Sequence, residues 1–195
     1  AKYETSLLEQ IASAYRDESP ALAEELLHTE IRPPEICVDD RVTLFLGNRQ
    51  VEVLYLEGHT PASLGLYLRE ERLLFAGDNI TSNQHPAMYQ ASSLAWLDTL
   101  RRIKAMEIDT IVTGTGELCD KTVIDPIFDY ISEMHRRVTA LFDKGASRRE
   151  CVDKVGMLDW FPFPDEQAAL MRKRRRGNVE RVYTEIRIAR KKGRR

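Results

Sequence analysis

The chain has 195 residues, 43% of them hydrophobic, and 29 Lys or Arg against 31 Asp or Glu, for a net charge of −2. That size and apolar content suffice for one sizeable core and predict one domain over residues 1–195, ending in a basic helix or tail over 172–195. No apolar run approaches the ~18 residues of a membrane-spanning helix, and no charged-then-apolar leader opens the sequence, so neither a span nor a secretory signal is expected.

In chain order, "YETSLLEQIASAYRD" and "PALAEELLHT" carry Leu, Ile and Ala at helical spacing, with "ESP" as the break between them. "IRPPEICVDD" reads as an extended, proline-stiffened connector, and "VTLFLGNRQVEVLYLEG" as a hairpin turned at "GN". Next come a strand over Leu64–Leu68, the charged turn "REER", and an apolar strand over Leu73–Asp78 ended by glycine. "ITSNQHPAMYQASS" follows as a loop; helices are predicted over Leu94–Met106, Val123–Asp143 and Arg148–Val155, with a strand at "IDTIV" after the first. Cys37, Cys119 and Cys151 show neither paired nor CxxC spacing, which fits reduced thiols and predicts a cytoplasmic protein.

The stretch "EGHTPASLGLYLREERLLFAGDN" gives this pattern its chemistry. If its two strands pair as an antiparallel hairpin, His59 before the first and Asp78 at the end of the second return to one edge of the sheet. Imidazole and carboxylate together suit a divalent metal such as zinc. Spacing alone equally allows a histidine that caps a turn and an aspartate that bonds nearby backbone N–H groups.

"GHTPASLGLYL", "LLFAGDN", the helix "WLDTLRRIKAM" and the strand-turn "IDTIVTGTGE" resemble, in order and spacing, the second half of the metallo-β-lactamase superfamily. The resemblance implies an α/β (α+β) fold, a four-layer αββα sandwich that is N-terminally incomplete here and has added C-terminal helices. It implies one or two zinc ions at one rim of the sheets. His59 matches the histidine that ligates the first metal, and Asp78 the carboxylate that bridges both and orients the attacking water. The family's upstream ligand motif, His-x-His-x-Asp-His, does not occur in this sequence, so a truncated or processed chain is expected. Thr115 of "TGTG" stands where the family has a metal-ligating histidine, a degenerate ligand position that predicts weak or absent zinc. Glu117, Cys119 and Asp120 are candidate substitutes, or simply a turn before a helix.

His85 and Tyr89, in the loop after Asp78, are candidates for substrate contact; His28 and His135 fall within helical patterns and read as structural. The expected function is metal-dependent hydrolysis of a small-molecule ester, thioester or lactone. The alternative is a non-catalytic scaffold or interaction module, with a homodimer open in either case. From Arg172 to Arg195 the balance is +10, against −12 for the rest. This basic run can contact nucleic acid, or form a docked helix buried along Val179, Val182, Ile186 and Ile188, which is the favoured reading.

Overall fold

The computed structural model describes residues 2–193, so Arg194 and Arg195 of the basic run lie outside the described residues. Two compact units result, Ala1–Cys37 and Val38–Arg195. The first is a pair of helices packed on each other, α1 (Lys2–Tyr15) and α2 (Pro20–Leu27). Pro20 opens α2 at a position where its missing N–H has no helical partner to lose. Ala12 and Ala23 are buried.

The second unit runs β1 (Arg41–Leu46), β2 (Arg49–Tyr55), β3 (Leu64–Leu68), β4 (Leu73–Thr81), α3 (Ser93–Ala105), β5 (Thr110–Thr115), α4 (Ile124–Asp143), α5 (Arg148–Lys154) and α6 (Ala168–Lys192). Its five strands form one sheet in the order β1-β2-β3-β4-β5. The first four are an antiparallel meander, whose first turn bends at Gly47 with φ +64°. β5 is parallel to β4, which requires a crossover, and α3 provides it.

Side chains alternate across each strand, so the register sorts the sheet into two faces. Leu54, Tyr67, Leu74 and Ile111 lie on one, buried in a single cluster with Trp96, Leu100 and Ile103 of α3 and Ile127, Ile131 and Met134 of α4. The other carries Leu44, Val53, Leu66 and Phe75, of which Leu44, Leu66 and Phe75 are about 40% exposed (38%, 40% and 39%). Of the two sheets of a four-layer sandwich, one is present among the described residues.

Two sequence-based boundaries differ. β4 does not end at Gly77 and Asp78 but continues to Thr81, because β5 runs beside it and keeps pairing it, Gly77 with Thr113 and Thr81 with Thr115. The C-terminal helix begins at Ala168, and its buried stripe is Met171, Asn178, Val179, Val182 and Ile186. Ile188 is not part of it: two residues past Ile186 it lies about 200° around the helix, and it is 47% exposed.

Candidate functional site

The position of Asp78 follows from a break in strand parity. Leu74 and Ala76 face the core, so strict alternation would bury residue 78 as well. At Gly77, with φ +54°, the β4–β5 register slips, and a bulge of this kind re-aims the side chains beyond it. Asp78 turns out to the rim, its side chain 46% exposed, while Asn79 turns inward and is fully buried. Gly114 on β5 lies so close that a Cβ there would meet the Asp78 N and the Gly77 carbonyl carbon at 2.5 Å.

The buried Asn79 then fixes the histidine loop. Its Nδ2 donates to the Leu56 carbonyl (2.6 Å), and its Oδ1 accepts from the His59 backbone N–H (2.8 Å). Trp96 of α3 donates Nε1–H to the Asn79 carbonyl (3.0 Å) and meets the His59 ring edge to face, centroids 5.6 Å apart. Gly58 is required because a Cβ there would lie 2.8 Å from the Trp96 ring. The antiparallel β3–β4 pairing thus brings the two residues together as the hairpin predicts, with His59 Nε2 3.7 Å from Asp78 Oδ2. That separation is beyond hydrogen-bond reach, and His59 Nδ1 is buried without a partner.

Thr115, the last residue of β5, reaches the same rim and donates its hydroxyl to Asp78 Oδ1 at 3.0 Å. His59, Asp78 and Thr115 line a cavity of about 130 Å³ with Thr81, Gln84, His85, Ala87 and Arg174. The zinc that the resemblance implies is matched by donor type but not by donor number. Among the described residues no group of three or more His, Cys, Asp or Glu is placed to hold a metal ion, whereas zinc sites take three or four protein ligands. Glu117, Cys119 and Asp120 do not supply the deficit. Cys119 pairs its backbone with Ile111, burial pushes its thiol pKa up, and Asp120 accepts from the Thr122 N–H (2.8 Å) to cap the turn before α4.

His85 lines the cavity, but its ring is held in a cage of Tyr130, Phe161 and Phe163, and it is only 3% exposed. Burial pushes its pKa below the ordinary value, although the carbonyls of Leu158 and Phe161 pull the other way. Nε2–H donates to the Leu158 carbonyl at 3.2 Å, so in the neutral ring Nδ1 is an acceptor, buried and without a partner. Tyr89 does not line the cavity; its ring lies flush against Gly177 of α6, where any side chain would collide with it. His28 is exposed beside Glu24, and His135 is half-buried on α4 near Thr139.

The sequence pattern missed the contribution of α6. Arg174 donates Nη1–H to the His85 carbonyl (2.9 Å). Asn178 donates to the Pro86 carbonyl (2.8 Å) and accepts from the Met88 N–H (2.8 Å). Arg181 donates to the Ala91 carbonyl (2.6 Å), and Glu185 accepts from the Ser93 N–H at 3.2 Å. Residues 174, 178, 181 and 185 lie on one helical stripe, which pins the loop after β4 in order along its length. The one signal was the polar stripe at i, i+4, i+7 and i+11, obscured by the surrounding basic run.

Similarity to known proteins agrees with this architecture. A family model described as the metallo-beta-lactamase superfamily matches residues 7–115, more than half of the chain. A beta-lactamase-like protein 2 homolog from Caenorhabditis elegans is 28% identical over 100 residues, 51% of this chain and 33% of that protein. A hydroxyacylglutathione hydrolase from Bartonella quintana (strain Toulouse) is 24% identical over 102 residues, 51% of this chain and 40% of that one. The chain therefore spans a third to two fifths of the length of these curated relatives. Among solved structures, a metallo-beta-lactamase family protein from Thermus thermophilus superposes with a TM-score of 0.58 at 16% identity, over 92% of this chain and 60% of that one. A stereoselective inverting sec-alkylsulfatase from Pseudomonas sp. does so with a TM-score of 0.57 at 16% identity, over 78% and 26%. At that identity the likeness is one of fold. The extended family match, joined to a rim where a bulged strand and a pinned loop bring Asp78 to His59, gives the chain its place: it belongs to the metallo-beta-lactamase superfamily.

Proposed function

We propose that this chain carries part of a metal-dependent hydrolase site for a small-molecule ester, thioester or lactone, in which His59 and Asp78 each give one ligand to zinc. The observation that carries the reading is their approach to 3.7 Å at the mouth of a cavity, with neither nitrogen of the His59 ring in a hydrogen bond. The hydrolase named among the relatives supports it. So does the short connection between Asp78 and Thr115, filled by the end of β4, the loop over 82–92, the 13-residue α3, a short turn and β5, with no inserted domain to bind a polymer. Zinc would supply a polarised water and a Lewis acid. The chain's own contributions are narrower: Trp96 and Asn79 set the His59 ring, the bulge presents Asp78 as an acceptor at the cavity, and Arg174 of α6 lines the same cavity and holds the His85 loop. Two donors hold zinc weakly, so the chain alone is a poor catalyst.

A scaffold role is the second reading, favoured by the Thr115 hydroxyl that engages Asp78 where the family places a ligand. Nucleic-acid contact through the basic run is less well supported. Arg174, Arg175, Arg176, Arg181 and Arg190 of α6 all bond within the unit, to carbonyls or to Glu180, Glu185 and Asp143.

Zinc titration of the full chain, followed by competition with a chromophoric chelator, separates the two readings. Weak binding is expected for the wild type, and none for His59→Ala. Thr115→His places a third donor beside the pair and should tighten binding about tenfold or more. Hydrolysis of a thioester or lactone should rise with added zinc and vanish in His59→Ala. Zinc affinity that ignores both substitutions, or turnover that survives a chelator, would overturn the metallo-hydrolase reading.

A further inference from the structure

The sheet has two outer edges, and among the described residues only one is open. Beyond β5, Cys119 exchanges both backbone bonds with Ile111, at 2.7 and 3.1 Å. β1 pairs with β2 alone. Tyr55 N–H donates to the Asp40 carbonyl at 2.8 Å, and Leu46 pairs with Arg49 across the turn, so antiparallel alternation turns the backbone groups of residues 40, 42, 44 and 46 towards β2. Those of Arg41, Thr43 and Phe45 point the other way, and none of them bonds a described residue. A bare edge normally carries a guard such as a proline, a lysine or a bulge. β1 reads "RVTLFL", its register with β2 is unbroken, and Phe45 and Leu46 are 71% and 61% exposed.

We propose that β1 is a dimerisation strand, which pairs antiparallel with β1 of a second copy about a two-fold axis at Thr43. Parity leaves few registers, because outward-facing residues must oppose outward-facing residues. Centring on Thr43 pairs the most of them: Thr43 with Thr43, Arg41 with Phe45 and Phe45 with Arg41, each pair exchanging both of its N–H···O bonds. The strand is self-complementary in this register. Thr opposite Thr is a favourable cross-strand pair, and the only charge in the strand, Arg41, meets an aromatic ring rather than its own copy. On the reverse face Val42 meets Leu44, so the apolar surface of Leu44, Val53, Leu66 and Phe75 continues across the junction. A two-fold contact uses the same edge of both copies and closes at two. A head-to-tail chain would need a second open edge, and Cys119 occupies it. The contact is small, so the dimer is weak and concentration-dependent. It depends neither on a metal nor on the hydrolase reading of the rim.

Sedimentation velocity of the full chain from ~5 to ~500 μM tests this, with a reductant present because exposed Cys37 can cross-link copies. The wild type should pass from monomer to dimer across that range. Thr43→Pro removes an N–H that points away from β2, where an edge strand tolerates proline. It should weaken dimerisation about tenfold or more while the circular dichroism stays that of the wild type. Phe45→Lys, at an exposed side chain, sets a cation opposite Arg41 and should weaken dimerisation as much; Phe45→Glu sets a carboxylate there and should stay within about threefold of the wild type. The net charge of −2 favours the opposite order, so this contrast reports the register. If the proline variant unfolds, the Phe45 pair decides alone. A chain that stays monomeric throughout, or equal losses in Phe45→Lys and Phe45→Glu, would overturn the proposal. So would a dimer unchanged in Thr43→Pro and Phe45→Lys, which moves the contact to the open face of Leu66 and Phe75.

Discussion

Gly114→Ala is expected to lower the stability of the second unit by about 3 kcal/mol and its melting temperature by about 10 °C. The added methyl would meet backbone, the Asp78 N and the Gly77 carbonyl carbon at 2.5 Å, where no flexible side chain can swing aside. Strands β4 and β5 must separate locally, and they do so at the bulge that aims Asp78 outward. Stability and site geometry should therefore fail together, with the His59 and Asp78 resonances moving along with the melting point. Gly156→Ala is the control: its new Cβ would meet nothing within 4 Å, and a change within ~0.5 kcal/mol is expected. A Gly114→Ala protein that melts with the wild type would show that the two strands lie farther apart than described.

Asn178→Ala should be as damaging, for a different reason. The amide is fully buried on α6 and serves three groups: it accepts from the Met88 N–H and donates to the Pro86 carbonyl and to the Tyr130 hydroxyl at 3.1 Å. Burial pushes the Tyr130 pKa up to about 12, so its hydroxyl stays protonated and still needs a partner near neutral pH. Truncation strands all three at once, and at roughly 1–3 kcal/mol for each unsatisfied group a loss of about 3–5 kcal/mol is expected. Urea denaturation measures it, and hydrogen exchange should show the loop over residues 82–92 losing protection first. Ile188→Ala on the same helix, at a side chain that is 47% exposed, should be nearly neutral. Alanine is the better helix former at both positions, so comparable losses in both variants would mean that the docking of α6 as a whole, and not the buried amide, sets the cost.

The contrast between Asn178 and Ile188 also shows where sequence reading stops. The β3–β4 hairpin and the meeting of His59 with Asp78 were legible because antiparallel pairing fixes which strand ends coincide, whatever the side chains. The true course of β4 was not. A glycine ending an apolar run reads as a stop, and only the neighbouring β5 reveals that Gly77 is a bulge inside a continuing strand. Val179, Val182 and Ile186 were readable from helical period, but Ile188 was assigned by residue type against that period. Asn178 and Arg174 were missed because the polar stripe that carries them is obscured by the basic run, and their partners are backbone groups some 90 residues away.

Those distant partners also set an order of events. The contacts that pin the loop after β4 span 89 to 92 positions of sequence, and α6 leaves the ribosome after every strand of the sheet. The strands and α3 can be synthesised, and the sheet assembled, while the wall of the cavity around His85 still lacks its support. Long-range closures of this kind are slow steps in folding. The cavity should therefore be completed after the sheet during synthesis, and it should be the part of the unit that opens first when α6 frays.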